Sequence, residues 1–94
     1  MTNTTKSESG GSVRVLFFGH LAEMLGREQA VALPSAGCTL GQLRRRLASE
    51  ACTQGRAALL RPDVRASLDQ VISPDRTWVG RGSEVAFLPV FSGG

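Results

Sequence analysis

The residues with chemistry to offer are few and far apart. The chain ends in Gly93 and Gly94 behind the run Glu84-Val85-Ala86-Phe87-Leu88-Pro89-Val90-Phe91, carries one histidine, His20, and has two thiols, Cys38 and Cys52. Background glycine usage of roughly 7% gives two terminal glycines in about one chain in 200, so the pair gains meaning only from what precedes it. What precedes it is a strand-like apolar run interrupted by Pro89, which has no N–H to donate and so marks where pairing should stop. The expectation is a strand that passes into a free probe over Val90 to Gly94.

The other candidates are weaker. Cys38 and Cys52 form no CxxC pair and lie far from His20 in sequence, so metal-ligand spacing is absent and no disulfide is implied. His20 stands at a helix start without a Ser, Cys or acid beside it in sequence, which reads as a surface or capping residue rather than a base. The chain has no GxxxxGK[ST] loop with which to hold ATP itself. Arg44-Arg45-Arg46 spreads over some 200° of a helix and reads as a solvated face with long stems over the core rather than as a nucleic-acid patch.

The elements that must position the tail follow from patterning. At 94 residues, 41% hydrophobic and 20% charged, the chain fits one small domain, and no apolar run approaches the roughly 20 residues needed to cross a bilayer. Residues 1–12 are polar and rich in Thr, Ser and Gly, which predicts a disordered extension with no secretory leader and a cytoplasmic protein. Val13 to Phe18 alternates as a strand, covered on at least part of both faces. Leu21, Met24 and Leu25 make a short amphipathic helix stopped by Gly26, and Glu28 to Leu33 is a second strand, antiparallel to the first. The main helix runs from Thr39 to about Ala51, with Thr39 and Gln42 at capping-box spacing and Leu40, Leu43 and Leu47 as its apolar stripe. Thr53 to Asp63 reads as a loop because Gly55 and Pro62 interrupt it. Arg65 to Ile72 is a third strand, Thr77 to Val79 a short strand, and Glu84 to Leu88 the last strand, with Val85 and Phe87 on its core face. The fold class is α+β, a mixed sheet of four or five strands packed on one main helix, with the domain over 13–89 and the tail over 90–94. If first and last strands are adjacent and parallel in its middle, the tail leaves from a rigid platform.

The passage Gly82-Ser83-Glu84-Val85-Ala86-Phe87-Leu88-Pro89 into Gly93-Gly94 resembles the end of the molybdopterin synthase small-subunit (MoaD) branch of the MoaD/ThiS sulfur-carrier family. The opening Val15-Leu16-Phe17-Phe18-Gly19 with its short helix, and Thr39-Leu40 opening a helix with Leu43 and Leu47, are similar to that branch as well. The sequence departs from the family pattern at Val90, where a second proline is usual, and in its basic charge. The resemblance implies a ubiquitin-like β-grasp fold and a protein that is a carrier subunit rather than an enzyme on its own. It further implies that the C-terminal carboxylate of Gly94 is adenylated by a ubiquitin-activating-like adenylyltransferase, which uses the ATP, and then becomes a thiocarboxylate. The partner receiving it would be the molybdopterin synthase large subunit, where the sulfur builds the dithiolene of molybdopterin from a cyclic pyranopterin monophosphate.

Elementary chemistry makes sense of those roles. An α-carboxylate has a pKa of roughly 3.3 to 3.7 and is a poor acceptor of nucleophiles at neutral pH until it is activated. Gly93 gives side-chain-free access to an enclosed site, and six extended residues from Pro89 reach roughly 20 Å. Leu88, Pro89 and Phe91 would be partner contacts, because apolar surface serves no purpose on an unbound tail. No cofactor or metal is expected on the chain itself. Within the carrier class the alternatives are donation to thiamine thiazole or cysteine synthesis, or attachment to a protein lysine as a modifier. From another class, a small basic nucleic-acid-binding module would need aromatic or zinc patterns that the sequence lacks.

Overall fold

Alternation in the first strand decides where the core lies. In β1 (Ser12–Phe17) the side chains of Val13, Val15 and Phe17 are buried, while Arg14 is exposed and Leu16 half-covered. The computed structural model describes residues 11–90. After β1 come α1 (His20–Leu25), β2 (Glu28–Ala32), β3 (Cys38–Thr39), α2 (Leu40–Glu50), α3 (Thr53–Leu59), β4 (Val64–Leu68), β5 (Val71–Ser73), β6 (Trp78–Val79) and β7 (Glu84–Pro89). Most of the polar extension over 1–12, together with Phe91, Gly93 and Gly94, lies outside the described residues. Ser12 belongs to β1, and Leu33 donates its N–H to the Gly11 carbonyl at 2.8 Å, so the domain begins ahead of Val13.

Five strands form one mixed sheet in the order β2-β1-β7-β4-β5, and β3 pairs with β6 in a separate ribbon. β1 is antiparallel to β2, with Val13 opposite Val31, and parallel to β7, with Phe17 opposite Phe87. β4 closes the other side of β7 as an antiparallel neighbour. The last strand is therefore the centre of the sheet, adjacent and parallel to the first, which is the condition for a tail that leaves from a rigid platform. The inner face is packed by α2 through Leu40, Leu43 and Leu47, and the arrangement is the β-grasp of one sheet around one main helix. The helix starts where its cap requires: Thr39 Oγ1 accepts from the Gln42 N–H at 3.1 Å, and Gln42 Oε1 accepts from the Thr39 N–H at 2.9 Å.

Three expectations change. Thr53 to Asp63 is not a loop throughout, because Thr53–Leu59 is helical. Gly55, read as a breaker, is the point where α3 meets α1: a Cβ there would lie 2.9 Å from Leu25 Cδ2. Its N-cap is the thiol of Cys52, which accepts from the Gly55 N–H at 3.4 Å. Second, the run Arg65 to Ile72 is a hairpin, β4 and β5 joined at Asp69 and Gln70, both of which adopt positive φ (50° and 73°). Two successive left-handed residues make a type I′ connection, and the usual Asn-Gly or Asp-Gly marker is missing from this sequence. Third, Arg44 is not on a solvated face. It is only 8% exposed, donating to the carbonyls of Leu59 (3.2 Å) and Val64 (2.8 Å) and to Asp75 (3.0 Å), with its guanidinium 5.4 Å from the Phe87 ring centroid.

Candidate functional site at the end of the central strand

The site is the place where β7 leaves the sheet. The N–H of Phe18 donates to the Phe87 carbonyl at 3.1 Å, so the polar backbone groups of Phe87 point toward β1. Alternation turns the nitrogen of Pro89 the same way, past the end of β1, where no acceptor waits for an N–H. Gly19 occupies that corner with φ +62°, and a Cβ on it would stand 2.9 Å from Pro89 Cγ. Proline and glycine thus fit together at the exit, one lacking a donor and the other a side chain.

Pairing on the other side continues past the proline. Pro89 is opposite Val64, and the N–H of Val90 donates to the Asp63 carbonyl at 2.8 Å. The free segment expected from Val90 onward is therefore corrected by one residue: Val90 is still tied to the chain entering β4. Proline marks the end of pairing toward β1 only.

The loop that holds Val90 is itself held by charge. Arg61 Nε donates to Asp63 Oδ1 at 3.0 Å, and this hydrogen bond, reinforced by the charge of Arg61, keeps the Asp63 carboxyl below the usual carboxylate range. Exposed His20, at the start of α1, lines the same shallow cleft as Arg61, Asp63 and Pro89. The two thiols are elsewhere: Cys38 is buried, which pushes its pKa up, and Cys52 caps α3. Neither lines that cleft, so no nucleophile accompanies His20 there. Among the described residues no three potential metal ligands are grouped, and no helix is long and apolar enough to cross a membrane.

Of the predicted partner contacts, Leu88 and Pro89 are placed and half-exposed. Leu88 faces away from α2, opposite Arg65 of β4, whereas Val85 and Phe87 are buried in the core as expected. Phe91, Gly93 and Gly94 lie outside the described residues. Sequence reasoning missed the rest of the outer face. Register puts Leu16, Ala86, Ser67 and Ile72 in one row across it, and Phe18 extends β1 alongside. Phe18 is 49% exposed and Ile72 54% exposed, Leu16 and Leu88 are partly covered, and the small residues Ala86 and Ser67 between them are buried, so this face of the sheet carries a partly uncovered apolar band that includes Leu88. The alternation of Leu16 and Phe18 was the available signal; it fixes their face but not whether anything covers it.

A family model described as the ThiS family matches residues 15–94. No curated protein matches the sequence. Among solved structures, SAMP1 from Haloferax volcanii is similar at 24% identity and a TM-score of 0.62, over 89% of this chain and 100% of that one. A putative molybdopterin converting factor, subunit 1, from Pyrococcus furiosus is similar at 15% identity and a TM-score of 0.68, over 86% and 99%. Urm1 from Trypanosoma brucei is similar at 16% identity and a TM-score of 0.60, over 89% and 96%. These likenesses show the shared ubiquitin-like β-grasp.

Proposed function

The chain belongs to the ThiS family of ubiquitin-like sulfur carriers, and from that premise we propose that its C-terminal Gly94 carries a thiocarboxylate as the small subunit of a molybdopterin synthase. The observation that carries the reading is the position of β7: the strand leading to Gly94 is the central one, held by β1 on one side and β4 on the other. A tail leaving such a strand is anchored at its base and can enter a partner's site without disturbing the core.

The chemistry belongs to the partner's site and to one end of this chain. A carboxylate oxygen of Gly94 attacks the α-phosphorus of ATP held by a ubiquitin-activating-like adenylyltransferase, and pyrophosphate leaves. Hydrosulfide then attacks the acyl carbon, the bond to the AMP oxygen breaks and AMP leaves, giving the thiocarboxylate and a released proton. Gly93 keeps the approach free of side chains, and Pro89 with Gly19 fixes the direction of departure. Leu88, Phe18 and Leu16 offer apolar surface to a partner, with Phe91 a further contact on the tail. The acceptor is a cyclic pyranopterin monophosphate in the large subunit, where the sulfur becomes part of a dithiolene. The short helix α1, present ahead of β2, supports this acceptor over thiamine thiazole or cysteine synthesis.

Intact-mass spectrometry of the chain coexpressed with its activating enzyme tests the carrier step: an oxygen-to-sulfur mass increase is expected, and its absence would overturn the reading. Reconstituting the thiocarboxylate form with the large subunit and pyranopterin tests the acceptor. Dithiolene product supports molybdopterin synthesis, while an isopeptide adduct on protein lysine without dithiolene would reassign the chain as a modifier.

A further inference from the structure

Most of the charge surplus of this chain is concentrated in one place. A cleft of about 450 Å³ between α2, the α3–β4 connection and the β5–β6 turn is lined by Arg44, Arg45, Arg61 and Arg65, with Pro62 and Asp75 among its other walls. Four arginines and Asp75 line it, and with Asp63, the ion-pair partner of Arg61, counted beside them they leave a formal surplus of +2 out of the chain's +3. Two of the four are already committed. Arg44 is paired with Asp75 at 3.0 Å and Arg61 with Asp63 at 3.0 Å. Arg45 and Arg65 are exposed and make no ion pair with any described residue, and the buried Nε of Arg44 has no hydrogen-bond partner among them.

Position gives the surplus a direction. Arg65 lies on the outer sheet face directly opposite Leu88, so the cleft opens beside the apolar band. Guanidinium forks match the two oxygens of a carboxylate, and the cleft is concave, with Pro62 and Pro74 among its walls. Nothing aromatic lines the cleft on which a nucleobase could stack. We infer that this cleft receives a carboxylate-rich loop or terminus of the protein that docks on the outer sheet face; the inference rests on the carrier reading for the identity of that protein, though not for the binding itself. It also gives a physical role to the basic charge, one of the two points at which this sequence departs from the family pattern.

The test uses the full chain and a short oligoglutamate peptide as probe, followed through the arginine Nε–Hε resonances at low salt. The Arg45 and Arg65 signals should shift saturably, with affinity falling about tenfold in the exposed double variant Arg45→Glu/Arg65→Glu and little changed in Arg27→Glu/Arg81→Glu. Thermal melts confirm that both variants fold. Absence of a shift, or equal weakening by the two variants, would overturn the inference. Tighter binding of an oligouridylate of the same length, lost in the same double variant, would replace it with a nucleic-acid site. With the activating enzyme or the large subunit, Arg45→Glu/Arg65→Glu should raise KM for the carrier about tenfold and leave kcat unchanged; an unchanged KM with both partners would likewise overturn the inference. If Gly94 is never loaded while the peptide still binds the cleft, the carrier reading fails and the cleft stands; if loading proceeds while the peptide leaves the cleft unperturbed, the cleft fails and the carrier stands.

Discussion

Asp63 ties the tail's base to charge in two ways, through its carbonyl to Val90 and through its carboxylate to Arg61. Because the Arg61 hydrogen bond depresses its folded pKa, the stability it contributes is complete above the ordinary aspartate value of about 3.9 and is lost as pH falls through the lower folded value. An NMR titration of the carboxyl carbon should place the Asp63 midpoint below that of an ordinary aspartate, and Arg61→Ala should return it upward. Arg44 acts at the same scale but in the interior. Arg44→Ala leaves the carbonyls of Leu59 and Val64 without their donor and should cost roughly 2 to 4 kcal/mol in a denaturant melt, more than any exposed arginine. The difference between Arg44 and its neighbour Arg45 was partly legible: Arg44 stands at i+4 from Leu40, on the flank of the Leu40-Leu43-Leu47 stripe, and Arg45 lies opposite that stripe, but reading the three arginines together as one solvated run passed over it. The depth of Arg44 depends on carbonyls contributed by Leu59 and Val64, 15 and 20 residues away.

At the scale of elements, legibility followed periodicity and local capping. The strands of β1, β2 and β7 and the helix α2 were readable because alternation, or a Leu40-Leu43-Leu47 stripe behind a Thr39/Gln42 box, is a local statement. The helix α3 was not readable, because its cap is a cysteine and its glycine is needed for contact with α1 rather than for a turn. Of the β3–β6 ribbon, the short strand at Thr77 to Val79 was readable, whereas its two-residue partner Cys38–Thr39 was hidden by its length. The β4–β5 hairpin was hidden by Gln70, an unusual residue to hold φ at 73°. That residue gives the element its test: Gln70→Gly removes the left-handed penalty and should stabilise the domain by about 0.5 to 1 kcal/mol, seen as a rise in Tm of a few degrees. Leu43, almost fully buried on the helix that closes the core, gives the opposite sign, with Leu43→Ala costing about 2 to 5 kcal/mol.

At the scale of the molecule, the core and the proposed chemistry occupy different parts of the chain, and this separation can be measured. The buried face of the sheet carries Val13, Val15, Phe17, Val85 and Phe87, while the outer face leaves Phe18 and Ile72 uncovered. Stability and partner docking therefore depend on opposite sides of the same strands. The sequence showed which residues share each side; whether the outer side is covered depends on where the helices pack, and all three leave Phe18 exposed. Phe18→Glu should leave Tm within a few degrees of the parent, since a half-exposed side chain contributes little to the core, yet it should raise KM for the carrier in reactions with a docked partner. Deletion of Gly94 removes no described contact, so it too should preserve Tm, but it should abolish sulfur loading outright rather than weaken association. Comparing the two variants in one steady-state series separates docking from chemistry: a KM effect with kcat retained for Phe18→Glu, and no turnover with association retained for the deletion. If the deletion lowered Tm as much as a core substitution does, the tail would be part of the fold, and the division of labour argued from the two faces of the sheet would not hold.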